Sequence, residues 1–230
     1  PETLRRFAEA YEPYRFRSSS FYPCYGLAEA TLIVSGAKKG GGARLAQGPA
    51  GRELVASGEV LLPDEQLVRI VDPATGLVRD PGQEGEIWVS GPSVALGYWK
   101  QPEESQKTFG AQLPADGERT FLRTGDLGRL QPEGLVVTGR IKDLLIIRGA
   151  NHYPQDIELT VERAHEGMRP GAVAAFAVAS NGEERLAIVA EVNRQKVQDG
   201  LLAVCDAIRE AVAEEHDLRA HAIVLIAQNT

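Results

Sequence analysis

Asp126 lies in Arg123-Thr124-Gly125-Asp126-Leu127-Gly128, where two glycines favour a tight turn that leaves its carboxylate pointing outward. A carboxylate fixed in this way can accept both hydroxyls of a ribose, or it can simply cap its own turn. Glu29 falls one turn into a helix expected to begin near Leu27, after Tyr25-Gly26. It can ligate Mg²⁺ beside a phosphate or complement the helix dipole. Tyr25 can stack on a base or fill the core. Further on, Arg140, Lys142 and Asp143 precede the apolar run Leu144 to Ile147, with Gly149 placed for a sharp turn and Pro154 for the first position of a helix. Gly139 to Glu158 therefore reads as a joint between two domains, with its charges where a chain can pivot.

Other chemistries find little support. None of the four histidines pairs with a Ser or Cys in a recognisable nucleophile setting, and His165, His216 and His221 read as surface or satisfied core residues. There is no Walker-type phosphate loop and no Gly-x-Gly-x-x-Gly after a strand, so these residues alone cannot hold the phosphates of a nucleotide. The two cysteines, Cys24 and Cys205, lack metal-ligand spacing and suit a reduced, cytoplasmic setting. A net charge of -7, with one short basic cluster at Lys38 and Lys39, argues against broad binding of nucleic acid or acidic membranes. No apolar run approaches the roughly 18 residues of a membrane span. The start at Pro1 has neither a basic leader nor an initiator methionine, so the chain is expected to be a piece of a longer one.

The elements that must position these residues follow from periodicity. Residues 2 to 12 are helix-like, with Leu4, Phe7, Ala8 and Tyr11 on one face. Residues 36 to 52, with Gly40 to Gly42 among Lys, Ala and Gln, read as a mobile loop or insertion without a core of its own. From Glu53 to Arg140 the pattern is strands and turns: Gln66 to Val71, Gly85 to Ser90, Thr120 to Arg123 and Leu135 to Thr138. Trp88 and Trp99 are expected to anchor this β-rich module. A helix from Pro154 to about Glu166 comes next, then strands Ala172 to Ala179 and Arg185 to Val192 joined by the hairpin dipeptide Asn181-Gly182. A helix over about Gln195 to Glu215 places Leu201, Val204, Cys205, Ile208 and Val212 in a stripe that covers a sheet, and Ala222 to Ala227 is the last strand. At 43% hydrophobic and 25% charged, 230 residues suffice for two modest cores. The expected class is α/β (α+β), with domains at 1–140 and 141–230.

Four segments in order carry a resemblance: Tyr25-Gly26-Leu27-Ala28-Glu29-Ala30-Thr31-Leu32, then Gly85-Glu86-Ile87-Trp88-Val89-Ser90-Gly91 on to Gly97-Tyr98-Trp99, then Arg123 to Gly128, then Gly139 to Glu158. The series resembles the adenylate-forming superfamily of acyl-CoA synthetases, luciferases and nonribosomal-peptide adenylation domains. Within it the wording Tyr-Gly-Leu-Ala-Glu-Ala-Thr-Leu and Asn-His-Tyr-Pro-Gln-Asp-Ile-Glu is most similar to the fatty acyl-AMP ligases.

The resemblance implies a β-rich end portion of the large adenylation domain at 1–140, then a small mobile α/β C-terminal domain. It implies that Tyr25 stacks on adenine, that Gly26 keeps the backbone near the base, and that Glu29 ligates Mg²⁺ beside the α-phosphate. Asp126 is implied to hold both ribose hydroxyls and Arg140 to approach the ribose. Lys142, with Asp143 beside it, matches the position about which the tail domain swings, and Gly149 resembles the glycine facing the pantetheine arm. Glu29, Lys142 and Asp143 are thus the candidates for catalytic roles, and Tyr25, Gly26, Asp126, Arg140 and Gly149 those for binding ATP or AMP and the acceptor. The reaction implied joins a fatty acid to AMP and passes the acyl group to the phosphopantetheine thiol of an acyl carrier protein. A long-chain acyl-CoA synthetase and a noncatalytic carrier-docking module are the alternatives; intact Glu29, Asp126 and Arg140 argue against the second.

The family's phosphate loop and most of its acyl tunnel are expected before Pro1, and its late catalytic lysine after Thr230. Losing one such charge-stabilising group costs about 10²- to 10³-fold in rate. The isolated 230 residues are therefore expected to release no pyrophosphate above background with fatty acid and ATP. Residues 36 to 52 occupy the place of an insertion that fatty acyl-AMP ligases have and CoA ligases lack. Deleting Lys38 to Arg52 from the intact enzyme should raise acyl-CoA formation relative to acyl-AMP release, and unchanged product ratios would sink that assignment.

Overall fold

A strand of twelve residues organises the first part of the molecule. The computed structural model describes all residues except 49–50, 52, 63–64, 181, 198 and 229–230. The chain divides into two compact units, Pro1–Ile141 and Lys142–Thr230.

The first unit opens with α1 (Glu2–Tyr11), whose Phe7 and Tyr11 rings stack at 4.5 Å between centroids and meet Phe16 and Phe21 edge-on. Its main sheet is antiparallel, in the order β10 (Gly134–Arg140), β9 (Thr120–Gln131), β7 (Gly85–Ser90), β6 (Leu67–Val71), with short β8 (Ala111–Gln112) on β9. One face packs Val68, Ile70, Ile87, Val89, Leu122 and Leu135 with Val34 and Ala30 into a buried core. The expected strands are all present. The segment Arg123 to Gly128, expected as a turn, instead runs inside β9. Neighbours on both sides supply ladder partners, Glu86 to Leu127 on β7 and Arg140 to Asp126 on β10, so the chain bulges without reversing. Helix α2 (Pro102–Phe109), which the sequence reading left out, starts on a proline with Glu103 and Glu104 in its first turn.

Two further expectations are corrected. No α-helix follows Tyr25-Gly26; a single 3₁₀ turn spans Ala28–Ala30, and Thr31 and Leu32 then adopt positive φ. The chain doubles back so that Val34 N–H donates to the Tyr25 carbonyl, pairing β1 (Cys24–Tyr25) with β2 (Ser35–Gly36). The eight residues between Tyr25 and Val34 leave room for one short turn only, and the Leu32 carbonyl lies 1.3 Å from where a Cβ on Gly26 would be, so glycine is required there. Residues 36 to 52, expected to have no core, contain β3 (Leu45–Gln47), which pairs with β4 (Glu53–Val55). Ala46 is buried with Ala56 and with Val136 of β10, so a small residue of the stretch expected to be a loose loop is what lets two layers approach. Trp88 is buried as expected, but Trp99 is 86% exposed, its ring turned out beside Lys100 in the loop after Gly97.

The second unit begins with a hairpin of β11 (Leu145–Ile147) and β12 (Ala150–His152). Its two turn residues, Arg148 and Gly149, both have positive φ, the geometry that matches strand twist. Pro154 is the first residue of α3 (Pro154–Ala164). Then β13 (Met168–Ser180) and β14 (Glu183–Val192) pair antiparallel through a two-residue connection; its Gly182 has φ 79°, while Asn181 lies outside the described residues. β15 (Ala220–Ala227) runs parallel to β14, which requires a crossover, and α4 (Leu201–His216) supplies it. This helix starts later than expected because Asn193 caps a 3₁₀ turn at Arg194–Lys196 and Gly200 breaks the chain at φ 86°. Val204, Ile208 and Val212 form its fully buried stripe, with Leu201 and Cys205 at the margin. They share one core with Ile157 and Val161 of α3 and Leu186 and Ile188 of β14.

The two helices of this unit are also pinned by polar groups. Thr160 Oγ1 donates to Glu215 Oε2 at 2.6 Å and lies 2.8 Å from His216 Nε2. The same hydroxyl also lies 3.1 Å from the Asp156 carbonyl one turn back, so it links its own helix to both residues of α4. Burial holds the His216 imidazole below its usual pKa, opposed by Glu215 and reinforced by His152, itself lowered by burial. A depressed histidine binds fewer protons folded than unfolded, so its stabilisation is present above pH 6.5 and is lost as pH falls through the folded value. Thermal melts of the intact chain should show the second unit weakening from pH 7 to 5, and His216→Gln should flatten that slope; an unchanged slope would remove His216 as its source.

Candidate active site

The site is built around the β9 bulge. Between the pairs Glu86 with Leu127 and Trp88 with Arg123, three residues of β9 (Thr124, Gly125, Asp126) stand opposite Ile87 alone. Gly125 takes φ 72°, a conformation costly for other residues, and no atom lies near its missing Cβ. Thr124 Oγ1 donates to the Ile87 carbonyl at 2.7 Å and accepts from the Asp126 N–H at 3.1 Å. The bulge thereby turns the Asp126 side chain out of the ladder while its backbone stays bonded.

Asp126 is 8% exposed, and each of its carboxylate oxygens already has one donor. Tyr25 Oη donates to Oδ2 at 2.8 Å, and Arg140 Nε donates to Oδ1 at 2.9 Å. Tyr25 comes from β1 and Arg140 from the end of β10, so residues 101 and 14 positions away converge on one carboxylate. Burial, with the Asp126 charge beside it, pushes the Tyr25 phenol above its ordinary range and keeps it a donor. A carboxylate offers about four acceptor positions, so two remain for further donors such as a pair of vicinal hydroxyls. Arg140 has 58% of its side chain exposed and Asp126 12%, so solvent reaches the pair mainly at the guanidinium. The Tyr25 ring itself is 9% exposed, so its most evident contact is the hydroxyl's hold on Asp126.

Glu29 sits on the 3₁₀ turn and is half-buried. Tyr98 Oη donates to its Oε1 at 2.8 Å, and its backbone carbonyl accepts from Ala95 N–H. Thr31 Oγ1 adds a bond to the Ser93 carbonyl at 2.6 Å, so the 91–98 loop holds the Glu29 turn at three points. Burial, followed by the neighbouring Glu29, also raises the Tyr98 phenol. Among the described residues there is no cluster of three or more His, Cys, Asp or Glu side chains fit for a metal. Mg²⁺ is commonly held by one or two carboxylates with substrate phosphates and water completing the shell, and the Glu29 carboxylate is a donor of that type.

Lys142, Asp143 and Gly149 belong to the second unit, and all three are exposed. Lys142 and Asp143 lie on a 3₁₀ turn that lines a cavity of about 470 Å³ with Pro154, Glu158, Phe176 and Glu184. Gly149 is at the tip of the β11–β12 turn, with open space on its Cβ side. The sequence reading assigned nothing to two residues that organise the site, Glu86 and Tyr98. Glu86 is 2% exposed and accepts from Trp88 Nε1, Arg123 and the Gly125 N–H. The available signal was an acid inside an otherwise apolar strand, since such a residue is buried only when paired.

Comparison with known proteins agrees with this architecture. The chain matches the AMP-binding enzyme family over residues 1–99 and the Disco-interacting protein 2-like AMP domain over residues 142–230. It is 48% identical over 246 residues to the medium-chain-fatty-acid–[acyl-carrier-protein] ligase JamA of Moorena producens, covering 98% of this chain and 41% of that protein. It is 39% identical to the long-chain-fatty-acid–AMP ligase FadD26 of Mycobacterium marinum, covering 97% of this chain and 42% of that one. A solved structure from a study of fatty acyl-adenylate ligases of E. coli and L. pneumophila superposes with a TM-score of 0.80 at 30% identity, over all of this chain and 42% of its own. The chain thus spans about two fifths of the length of the curated relatives it matches. With two matched AMP-binding segments in order, relatives aligned along nearly all of its length and a shared fold, the chain is similar to the corresponding two fifths of the adenylate-forming fatty acyl-AMP ligases.

Proposed function

We propose that this chain is the C-terminal portion of a fatty acyl-AMP ligase, which activates a fatty acid as its acyl-adenylate and passes the acyl group to the phosphopantetheine thiol of an acyl carrier protein. In this reading the unit up to Ile141 is the end of the large adenylation domain, and the unit from Lys142 is the mobile domain. The observation that carries it is the buried Asp126 carboxylate, held by Tyr25 and Arg140 with acceptor positions to spare. The names of the relatives, a fatty-acid–[acyl-carrier-protein] ligase and a fatty-acid–AMP ligase, support the substrate and the acceptor.

Asp126 would take the two ribose hydroxyls of ATP, and Arg140 would both hold that carboxylate and offer its exposed face to the sugar. Fixing the ribose fixes the α-phosphate relative to the fatty acid carboxylate, and such positioning supplies much of the rate in phosphoryl and nucleotidyl transfer. The carboxylate oxygen attacks the α-phosphorus, pyrophosphate leaves, and a mixed acyl-phosphate anhydride forms. Attack of the carrier's thiol sulfur on the acyl carbon then releases AMP. Glu29, oriented by Tyr98, would hold Mg²⁺, which when bound offsets charge on the phosphate oxygens. Lys142 and Asp143 would lie at the pivot and Gly149 on the face that meets the pantetheine arm. Tyr25 would stack on the adenine while its hydroxyl holds Asp126.

In the full-length enzyme, Asp126→Ala should lower kcat/KM for ATP by about 10² or more, read as fatty-acid-dependent pyrophosphate release. The fatty acid KM should change little. An unaltered ATP dependence would remove the ribose assignment.

A further inference from the structure

We propose that Glu86 is a positioning residue for ribose recognition, acting through the bulge that carries Asp126. The inference rests on the ribose reading of Asp126 given above.

A bulge leaves backbone groups without ladder partners, and a buried N–H needs an acceptor. The Gly125 N–H, next to Asp126 in the chain, finds one in Glu86 Oε1 at 3.1 Å. The other oxygen, Oε2, collects Trp88 Nε1 at 2.8 Å and Arg123 Nε and Nη2 at 3.1 and 3.0 Å. Arg123 in turn lies 5.5 Å from the centre of the Trp88 ring, so the guanidinium is held by a charge and by an aromatic face. Four donors thus lock a carboxylate that is almost wholly buried, and its free end reaches across the sheet to the crest of the bulge. Moving that crest shifts Asp126 relative to Tyr25, which comes from a strand of another sheet, and relative to the guanidinium of Arg140 on the neighbouring β10.

Packing alone would also make Glu86 matter, so the test must separate position from stability. The discriminating quantity is kcat/KM for ATP divided by kcat/KM for 3′-deoxy-ATP, measured in the full-length enzyme with saturating fatty acid. Asp126→Asn should bring this ratio close to one. Glu86→Gln keeps the shape but removes the charge that orders Arg123, and should lower the ratio on the order of tenfold. Glu86→Asp keeps the charge yet retracts it from the Gly125 N–H; it should lower the ratio as well, and it keeps the test open where Glu86→Gln does not fold. Glu86 variants that are slower with both nucleotides at an unchanged ratio would show a structural role and overturn the inference. If Asp126→Asn itself leaves the ratio intact, the ribose reading fails and takes this inference with it. A ratio lost in Asp126→Asn but kept in both Glu86 variants overturns the role of Glu86 alone.

Discussion

A buried acid in the middle of a sheet is the constraint on which the first unit turns. Glu86 occupies an otherwise apolar strand at 2% exposure, where an unpaired carboxylate would be destabilising by several kcal/mol. The sequence answers with Trp88 two residues on, Arg123 on the facing strand and a bulge that aims one amide at it. One of the four donors to Glu86 is the Gly125 N–H on the bulge, and the bulge is what turns Asp126 away from the ladder. The carboxylate proposed to bind substrate is therefore held in place by a second carboxylate that has no access to substrate. Arg123 keeps 42% of its side chain exposed while Glu86 is buried, so losing the arginine would leave the acid buried with one charge partner fewer, and Glu86 contributes to stability as well as to the geometry of the site.

The second carboxylate of the proposed site is supported on a different principle. Glu29 lies on one 3₁₀ turn, too short to stabilise itself, and it borrows rigidity from the 91–98 loop through Tyr98, Ala95 and Ser93. Strand β7 thus feeds both halves: its Glu86 fixes the Asp126 bulge, and the loop that leaves its end fixes Glu29. The second unit carries its own core of two helices on a three-stranded sheet, and its proposed pivot and acceptor-facing residues are all exposed on short turns. Exposed turns on a well-packed body are what a domain needs to present different surfaces without repacking.

Much of the fold was legible because its elements obey simple periods. Val204, Ile208 and Val212 recur at helical spacing, and Gly85 to Ser90 reads as a covered strand, so both were placed correctly. The failures share a cause. Leu27 to Val34 is composed like a helix start, but the return of the chain onto Tyr25 allows one turn. Arg123 to Gly128 is composed like a turn, but two neighbouring strands keep it extended. Residues 36 to 52 are composed like a loose loop, but β10 offers a surface on which Ala46 and Ala56 pack. Trp99 has the size of an anchor and no core to enter.

The candidate site divides along the same line. Four motifs in order, through the resemblance they carry, were enough to single out Tyr25, Glu29, Asp126 and Arg140, whereas residue type alone left Tyr25, Glu29 and Asp126 each with a structural alternative. What the chain could not state is which of them meet. Tyr25 and Asp126 are 101 positions apart, and their bond exists because a bulge turns Asp126 out of β9 while Tyr25, from a separate sheet, packs into the same core as Leu122 and Leu135. Glu86 and Tyr98 have site roles through contacts of that kind alone, 39 and 69 positions from the groups they hold. Chemistry is a property of single residues and can be read locally; orientation is a property of long-range pairing, and the tertiary structure alone decides it.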